Sequence, residues 1–153
     1  MPLKINVSEK SGKTYHLELE NESLMEKEIR GKINGSEISP ELHDYEFEIM
    51  GASDKAGFPL VENVDGIRLK RVLLEYGKGM KKRSKREGKR KRSNFTPKGL
   101  RLRKTVRGKV ISPDTIQINL KVLKKGNKEL SEIFPEQNKA KEEKKIEAVP
   151  ATQ

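Results

Sequence analysis

The chain has 153 residues, of which 37% are charged and 32% hydrophobic, and it contains no cysteine. A chain of this length and composition forms one domain with tails, and its core must be small. Disulfides and thiolate metal sites are excluded. No apolar run approaches the ~20 residues that span a bilayer, and the N-terminal residues lack the apolar region of a signal peptide. These properties predict a cytoplasmic protein.

Alternating apolar residues predict short strands in the first third of the chain. Alternation over residues 3–7 and 15–19, with a turn-like stretch between them, predicts a hairpin over residues 2–19. Residues 21–30 are polar and are interpreted as a loop with at most one helical turn. Asn34-Gly35 is a strong turn dipeptide and predicts a second hairpin, whose far strand is residues 45–49.

The middle of the chain is less regular. Residues 51–59 are interrupted by glycines and are not expected to form regular structure. Residues 67–74 change the phase of their alternation near Lys70-Arg71, which predicts a strand with a bulge. A helix also fits this segment, since Leu69, Val72, Leu73 and Tyr76 are spaced i, i+3, i+4 and i+7. The strand is favoured because Gly77 and Gly79 end the segment early.

The last part of the chain predicts a third hairpin and a tail. Residues 105–111 and 116–122 have strand character and flank a turn at residues 112–114. From residue 135 the chain is rich in Lys, Glu and Ala, which predicts a mobile tail that can be partly helical. The elements together predict an all-β fold, a small antiparallel unit in residues 1–130 with a tail at residues 131–153.

Positive charge is concentrated between residues 68 and 109. This window holds 19 basic and two acidic residues, a balance of +17, while the whole chain carries +11, so the remainder carries −6. The densest part is residues 81–92, KKRSKREGKRKR, with nine basic residues in twelve. A dense array of anions relieves such a cluster, and nucleic-acid phosphate is the commonest such array in a cell.

The basic arm, residues 77–104, has little apolar content and is expected to be extended or disordered when free. A nuclear localisation signal and a solvated loop are the alternative interpretations of its charge. A lipid surface is disfavoured because the arm has no apolar insertion face and no lipid anchor. RNA is favoured over DNA because no recognition helix is visible, and an extended arginine-rich arm can follow the irregular phosphates of folded RNA.

Several short patterns imitate catalytic or metal sites. Residues 11–14, Ser-Gly-Lys-Thr, copy the end of a phosphate-binding loop, but the motif requires glycine where Val7 stands and a helix where a strand is predicted. His16 and His43 have no spaced partner ligand. The acids of residues 44–48 fit the solvated face of a strand better than a magnesium site. The sequence therefore predicts no enzymatic activity, no metal and no cofactor.

Three segments resemble a known family. Residues 45–60, with Tyr-Glu-Phe-Glu-Ile followed by Ser53-Asp54-Lys55 and Gly57-Phe58-Pro59, resemble the signature of the sixth small-subunit ribosomal protein of archaeal and eukaryotic type. Residues 101–108 and 118–126 are similar to two further blocks of that family, in the same order and with compatible spacing. The resemblance covers roughly residues 1–130.

The resemblance implies a structural constituent of the small ribosomal subunit, with a barrel-like β domain, that binds ribosomal RNA and adjoins other ribosomal proteins. It implies neither a membrane nor a small-molecule substrate. The chain ends without the long basic helix and the serine-rich phosphorylated end of eukaryotic members, so an archaeal member is expected. The expected RNA-binding residues are Lys55, Arg68, Lys70, Arg71, Lys78, Lys81, Lys82, Arg83, Lys85, Arg86, Lys89, Arg90, Lys91, Arg92, Lys98, Arg101, Arg103, Lys104, Arg107 and Lys109.

Two questions stay open at this point. The loop containing Ser53, Asp54, Gly57, Phe58 and Pro59 is either a tight structural turn, with Phe58 plugging the core, or a surface that faces RNA. The protein as a whole is alternatively an adaptor that docks protein partners, with the basic arm only a solvated loop.

Overall fold

The computed structural model describes residues 2–19, 23–80 and 98–137. These residues form seven strands and one short helix, with two 3₁₀ turns between the third and fourth strands. No helix among them is long and apolar enough to cross a membrane. The elements are β1 (Leu3–Ser8), β2 (Thr14–Leu19), β3 (Lys32–Asn34), β4 (Glu46–Asp54), β5 (Leu69–Glu75), β6 (Arg101–Arg107), β7 (Thr115–Lys124) and α1 (Leu130–Ile133).

Five of the strands form one sheet in the order β2-β1-β7-β4-β3. β1 and β2 pair antiparallel, which confirms the first predicted hairpin. β1 also pairs with β7, and this pair is parallel. The expectation of a purely antiparallel unit is therefore wrong, although the all-β class is confirmed. The edge strands β2 and β3 do not pair with each other in the described residues, so closure into a barrel is not confirmed.

The main core lies on one face of this sheet. Alternate side chains of the central strands point inward, and Ile5, Phe47, Ile49, Ile118 and Leu120 are fully buried. Loop residues before β4 and after β6 cover them from the other side. These covering residues include Leu24, Ile29, Ile38, Leu42 and Ile111.

β3 and β4 pair antiparallel as predicted. The prediction of a tight turn at Asn34-Gly35 between them is wrong. The connection is long and contains two 3₁₀ turns, Gly35–Glu37 and Pro40–Leu42. The Gly35 N–H donates to the Tyr45 carbonyl oxygen at 2.8 Å, which closes this loop at its base. A Cβ atom at position 35 would lie 1.7 Å from the Leu42 carbonyl oxygen, so the packing of the loop requires glycine.

β4 runs through Asp54 and therefore includes residues 51–54, which were expected to be irregular. Its pairing with β7 shifts register between Ile49 and Gly51, the signature of a bulge. The bulge inverts the phase of the strand, so that Ala52 and Asp54 point inward in place of Gly51 and Ser53. An acidic residue is thereby turned toward the interior.

β5 and β6 pair antiparallel and form a separate two-stranded ribbon. The predicted strand at residues 67–74 is confirmed, but its seven pairs show no bulge. β6 begins at Arg101, four residues before the expected start of strand character. β6 pairs with β5 and β7 pairs with β1 and β4, so the third predicted hairpin is wrong.

The chain after β7 returns to the outer edge of the sheet. Leu130 of α1 is buried in the main core, and the ring of Phe134 lies 5.9 Å from that of Tyr15. The side-chain amide of Gln137 accepts a hydrogen bond from the His16 N–H and donates one to the His16 carbonyl oxygen, both at 2.7 Å. The rest of the predicted tail, residues 138–153, lies outside the described residues.

Replacing Gly35 with alanine should lower the free energy of unfolding by about 1–3 kcal/mol, because the new methyl group meets backbone that cannot move aside. Urea unfolding measures the change. Gly51→Ala is the matched control, since its Cβ would only touch the end of the Lys78 side chain at 3.6 Å. Equal losses in the two variants would contradict the assignment of a steric requirement to Gly35.

Candidate nucleic-acid interface

The β5–β6 ribbon has two different faces. Paired residues share a face, so one side holds Leu69, Arg71, Leu73 and Glu75 of β5 with Arg101, Arg103, Thr105 and Arg107 of β6. The opposite side holds Lys70, Val72 and Leu74 of β5 with Leu102, Lys104 and Val106 of β6. We call the side with Leu69 and Arg71 the outer face and the other side the inner face.

The inner face anchors the ribbon through a second, smaller core. Val106 is fully buried beside Val61 and Val64, and Val72 and Leu74 pack against this cluster. A two-stranded ribbon alone is marginally stable in water, and apolar burial on one side is what lets it persist. The outer face is therefore left free to meet a partner.

Arg107 ends β6 and points into the protein. Its side chain is 9% exposed, and its Nε atom donates to Oδ2 of Asp54 at 3.2 Å. Nη1 donates to the Ser112 hydroxyl and the Ile67 carbonyl oxygen, and Nη2 donates to Oδ2 of Asp114. All these acceptors belong to the protein, so we assign Arg107 a structural role, although it stood among the expected RNA contacts.

Asp54 organises the loop that follows β4. Oδ1 accepts hydrogen bonds from the backbone N–H groups of Ala56 at 3.0 Å and Phe58 at 2.8 Å. Gly57 has φ +82°, a conformation that favours glycine, and its N–H donates to the Asp54 carbonyl oxygen. Phe58 and Pro59 are half-buried, and Leu60 is the residue that enters the core. This geometry supports the structural interpretation of the loop over the RNA-facing one.

Five of the expected RNA-binding cations have partners within the protein. Hydrogen bonds that Lys109 donates to Glu28 and, to a smaller extent, to Asp65 raise the pKa of this lysine above its usual value, so it stays charged. The five contacts are Lys55 with Asp114 at 3.6 Å, Lys70 with the Asp65 carbonyl at 2.9 Å, Lys78 with the Met50 carbonyl at 2.7 Å, Arg101 with Glu75 at 3.0 Å, and Lys109 with Glu28 and Asp65 at 3.2 Å.

Another five expected cations are exposed and have no ion pair or side-chain hydrogen bond within the described residues. They are Arg68, Arg71, Lys98, Arg103 and Lys104. Arg71 and Arg103 are diagonal neighbours on the outer face, because Arg71 is opposite Thr105 and Arg103 is opposite Leu73. Two arginines without an ion pair thus share one face of the ribbon at diagonal positions.

The nine cations between residues 81 and 92 lie outside the described residues. On either side of them, Glu75 at the end of β5 is paired with Arg101 at the start of β6, so the described chain leaves and re-enters the ribbon at one end.

Sequence reasoning missed the exposed apolar residues in and beside β5. Ile67, Leu69, Leu73 and Tyr76 are 42–57% exposed, and they are the exposed large apolar residues found in the described part of the chain. The available signal was the change of phase in residues 67–74, which was interpreted as a bulge. It instead reflects a strand with apolar residues on both faces.

The patterns that imitate other sites have structural explanations. Residues 11–14 form the turn into β2 and no helix follows them, as predicted. Nδ1 of His16 lies 2.5 Å from the Asn6 side-chain oxygen on the outside of the large sheet. Glu46 pairs with Lys124 and Glu48 with Arg30, in line with a solvated strand face. No group of three or more potential metal ligands is found in residues 2–19, 23–80 and 98–137.

Fold and charge together define a small, basic all-β protein that presents unpaired cations on a ribbon. The family model of ribosomal protein S6e matches residues 3–135, and the chain belongs to this family. The resemblance of the sequence segments is thereby confirmed.

Curated relatives come from archaea. The small ribosomal subunit protein eS6 of Methanosphaera stadtmanae is 40% identical over 146 residues, which cover 94% of this chain and all of the relative. The protein of the same name from Methanocaldococcus jannaschii is 38% identical over 125 residues, 82% of this chain and 84% of the relative. That of Archaeoglobus fulgidus is 36% identical over 140 residues, 88% and 96% respectively. The expected archaeal type is confirmed, and these relatives are named as ribosomal proteins, not enzymes.

Replacing Asp54 with alanine should lower the free energy of unfolding by about 3–5 kcal/mol, because it leaves the buried Arg107 charge short of a partner and frees two loop N–H groups. Urea unfolding measures this loss. Asp114→Ala is the control, since Asp114 also binds Arg107 but is 49% exposed and should cost less than about 1 kcal/mol. A loss at Asp54 no larger than the loss at Asp114 would contradict the structural role.

Proposed function

We propose that the protein is a structural constituent of the small ribosomal subunit, that it binds ribosomal RNA through its basic arm and the cations of the β5–β6 ribbon, and that it acts in the cytoplasm beside other ribosomal proteins. Its RNA-binding surface consists of the nine cations of residues 81–92 with Arg68, Arg71, Lys98, Arg103 and Lys104. Membership of the S6e family and the printed name of the archaeal relatives support the subunit assignment.

The observation that carries the RNA-binding proposal is a contrast in charge pairing. It separates the cations of the body, meaning the described residues outside the β5–β6 ribbon, from the cations of the ribbon. Most lysines and arginines of the body pair with carboxylates, as Lys27 does with Glu37 and Lys124 with Glu46. Arg71 and Arg103 occupy diagonal positions on the outer face of the ribbon without such a partner. Holding like charges together costs free energy, which a bound phosphate backbone offsets.

RNA is favoured over DNA by the shape of this surface. The described residues contain no helix long enough to serve as a recognition helix, since α1 spans four residues. The planar guanidinium groups can bind phosphate with two parallel hydrogen bonds. A narrow ribbon with an attached arm can follow the uneven backbone of folded RNA, where sequence is not read through a major groove.

Binding of the full chain to small-subunit RNA should weaken steeply with salt. If about 6–10 phosphates are contacted, raising the salt from about 50 to 200 mM should weaken binding by about 10³–10⁵-fold. Replacing the nine basic residues of 81–92 with serine should weaken binding and flatten this dependence. Filter binding or fluorescence anisotropy over a salt series measures both effects.

A smaller variant tests the ribbon itself. Arg71→Ser with Arg103→Ser should reduce the salt slope by about one to two, because two phosphate contacts are lost. Lys10→Ser with Lys121→Ser removes the same charge from exposed positions on the body and should leave the slope nearly unchanged. If the nine-serine variant still co-sediments with small subunits like the unaltered chain, the RNA-binding role is overturned and the adaptor interpretation replaces it.

A further inference from the structure

Phosphate binding does not account for the exposed apolar residues on the outer face of the ribbon. Leu69 and Leu73 are 45% and 57% exposed on this face and alternate along β5 with Arg71. Ile67 precedes the strand and Tyr76 follows it, and both are also more than 40% exposed. Phosphate contacts require cations and hydrogen-bond donors, and they give no reason for large apolar side chains to face water.

A shallow depression lies at the end of the ribbon, where Leu73 of the outer face and Leu74 of the inner face both line it. It has a volume of about 370 Å³, and its lining residues are Asn63, Leu73, Leu74, Glu75 and Arg101. The leucines provide an apolar wall, while the amide, carboxylate and guanidinium groups provide hydrogen-bond donors and acceptors at its rim. This combination matches a flat apolar ring with polar edges, which is the chemistry of a nucleobase.

We propose that the outer face of the β5–β6 ribbon binds unpaired nucleotides of RNA, with bases packed on Leu69 and Leu73 and phosphates on Arg71 and Arg103. This inference rests on the proposed RNA-binding function and deepens it by naming the form of RNA that the ribbon selects. In a duplex the base faces are stacked on one another and are not available to leucine side chains. In loops and bulges they are exposed, and their contact with leucine removes apolar surface of both partners from water.

Unpaired RNA fits this face better than a protein partner does. The face mixes apolar groups and unpaired cations at the spacing of single residues, with Arg71 between Leu69 and Leu73. A nucleotide carries an anionic group and an apolar ring within one unit, so a short run of nucleotides satisfies both. The two strands of this face also flank the basic residues 81–92 in the sequence, since β5 ends at Glu75 and β6 begins at Arg101.

The test compares two nearly isosteric pairs of substitutions in the full chain. Leu69→Thr with Leu73→Thr makes the face polar, while Leu69→Val with Leu73→Val keeps it apolar, and both suit an exposed strand. The probes are an unstructured single-stranded RNA and an RNA duplex of equal length, with binding measured by fluorescence anisotropy over a salt series. Urea unfolding shows whether the two variants remain equally stable.

The threonine pair should bind the single strand about tenfold more weakly than the valine pair, because apolar contact is lost. Its affinity for the duplex should change by less than about twofold, and its salt slope should stay the same, since no charge is altered. Asn63→Ala should likewise weaken binding of the single strand without changing the slope, because it removes a hydrogen-bonding group from the rim of the depression.

Equal binding of the single strand by the threonine and valine pairs would overturn the inference. If the unaltered chain still bound both RNAs in a salt-dependent manner, the proposed function would stand and the apolar face would be left for a protein partner. If the unaltered chain bound neither RNA, the proposed function itself would fail. The two failures are therefore distinguishable in one set of measurements.

Discussion

The ion pair between Arg107 and Asp54 joins the two parts of this protein. Asp54 is the last residue of β4 in the large sheet, and Arg107 is the last residue of β6 in the ribbon. The carboxylate is buried only because a bulge in β4 inverts the phase of the strand. One carboxylate thus closes its own loop and fixes the base of the ribbon, so the direction in which the ribbon leaves the body depends on this contact.

The Arg107–Asp54 pair also stands at the boundary between two groups of cations, those of the body and those of the ribbon. The charge of Arg107 is neutralised inside the protein, and most cations of the body form ion pairs with carboxylates, as Arg30 does with Glu48 and Glu62. In the ribbon Arg101 pairs with Glu75, whereas Arg71 and Arg103 lie on the outer face without an ion pair. The charges of the body are thus largely neutralised within the protein, while those of Arg71 and Arg103 are not.

Local sequence patterns predicted the strands and turns that depend on neighbouring residues. They did not predict the strand pairs and side-chain contacts that join distant segments of the chain. The hairpin of residues 2–19 and the strand near residue 70 follow from alternation and turn chemistry. The parallel pairing of β1 with β7 joins residues more than 100 positions apart, and no local pattern encodes it. Arg107 illustrates the same limit for the site, because it stands within a basic segment of the sequence and only the fold shows that Asp54 and Asp114 bind its guanidinium group.

The position of β7 has a consequence for how the molecule forms. It is the last strand along the chain, yet it lies between β1 and β4 in the middle of the large sheet. The apolar sides of the first hairpin and of the β3–β4 pair stay incompletely covered until residues 115–124 have been synthesised and inserted between them. The formation of such long-range contacts is slow. Because chains emerge from the N-terminus, the cation-rich residues 81–92 leave the exit tunnel before their own scaffold is complete. The nascent chain therefore carries its densest positive charge before it has a finished interior.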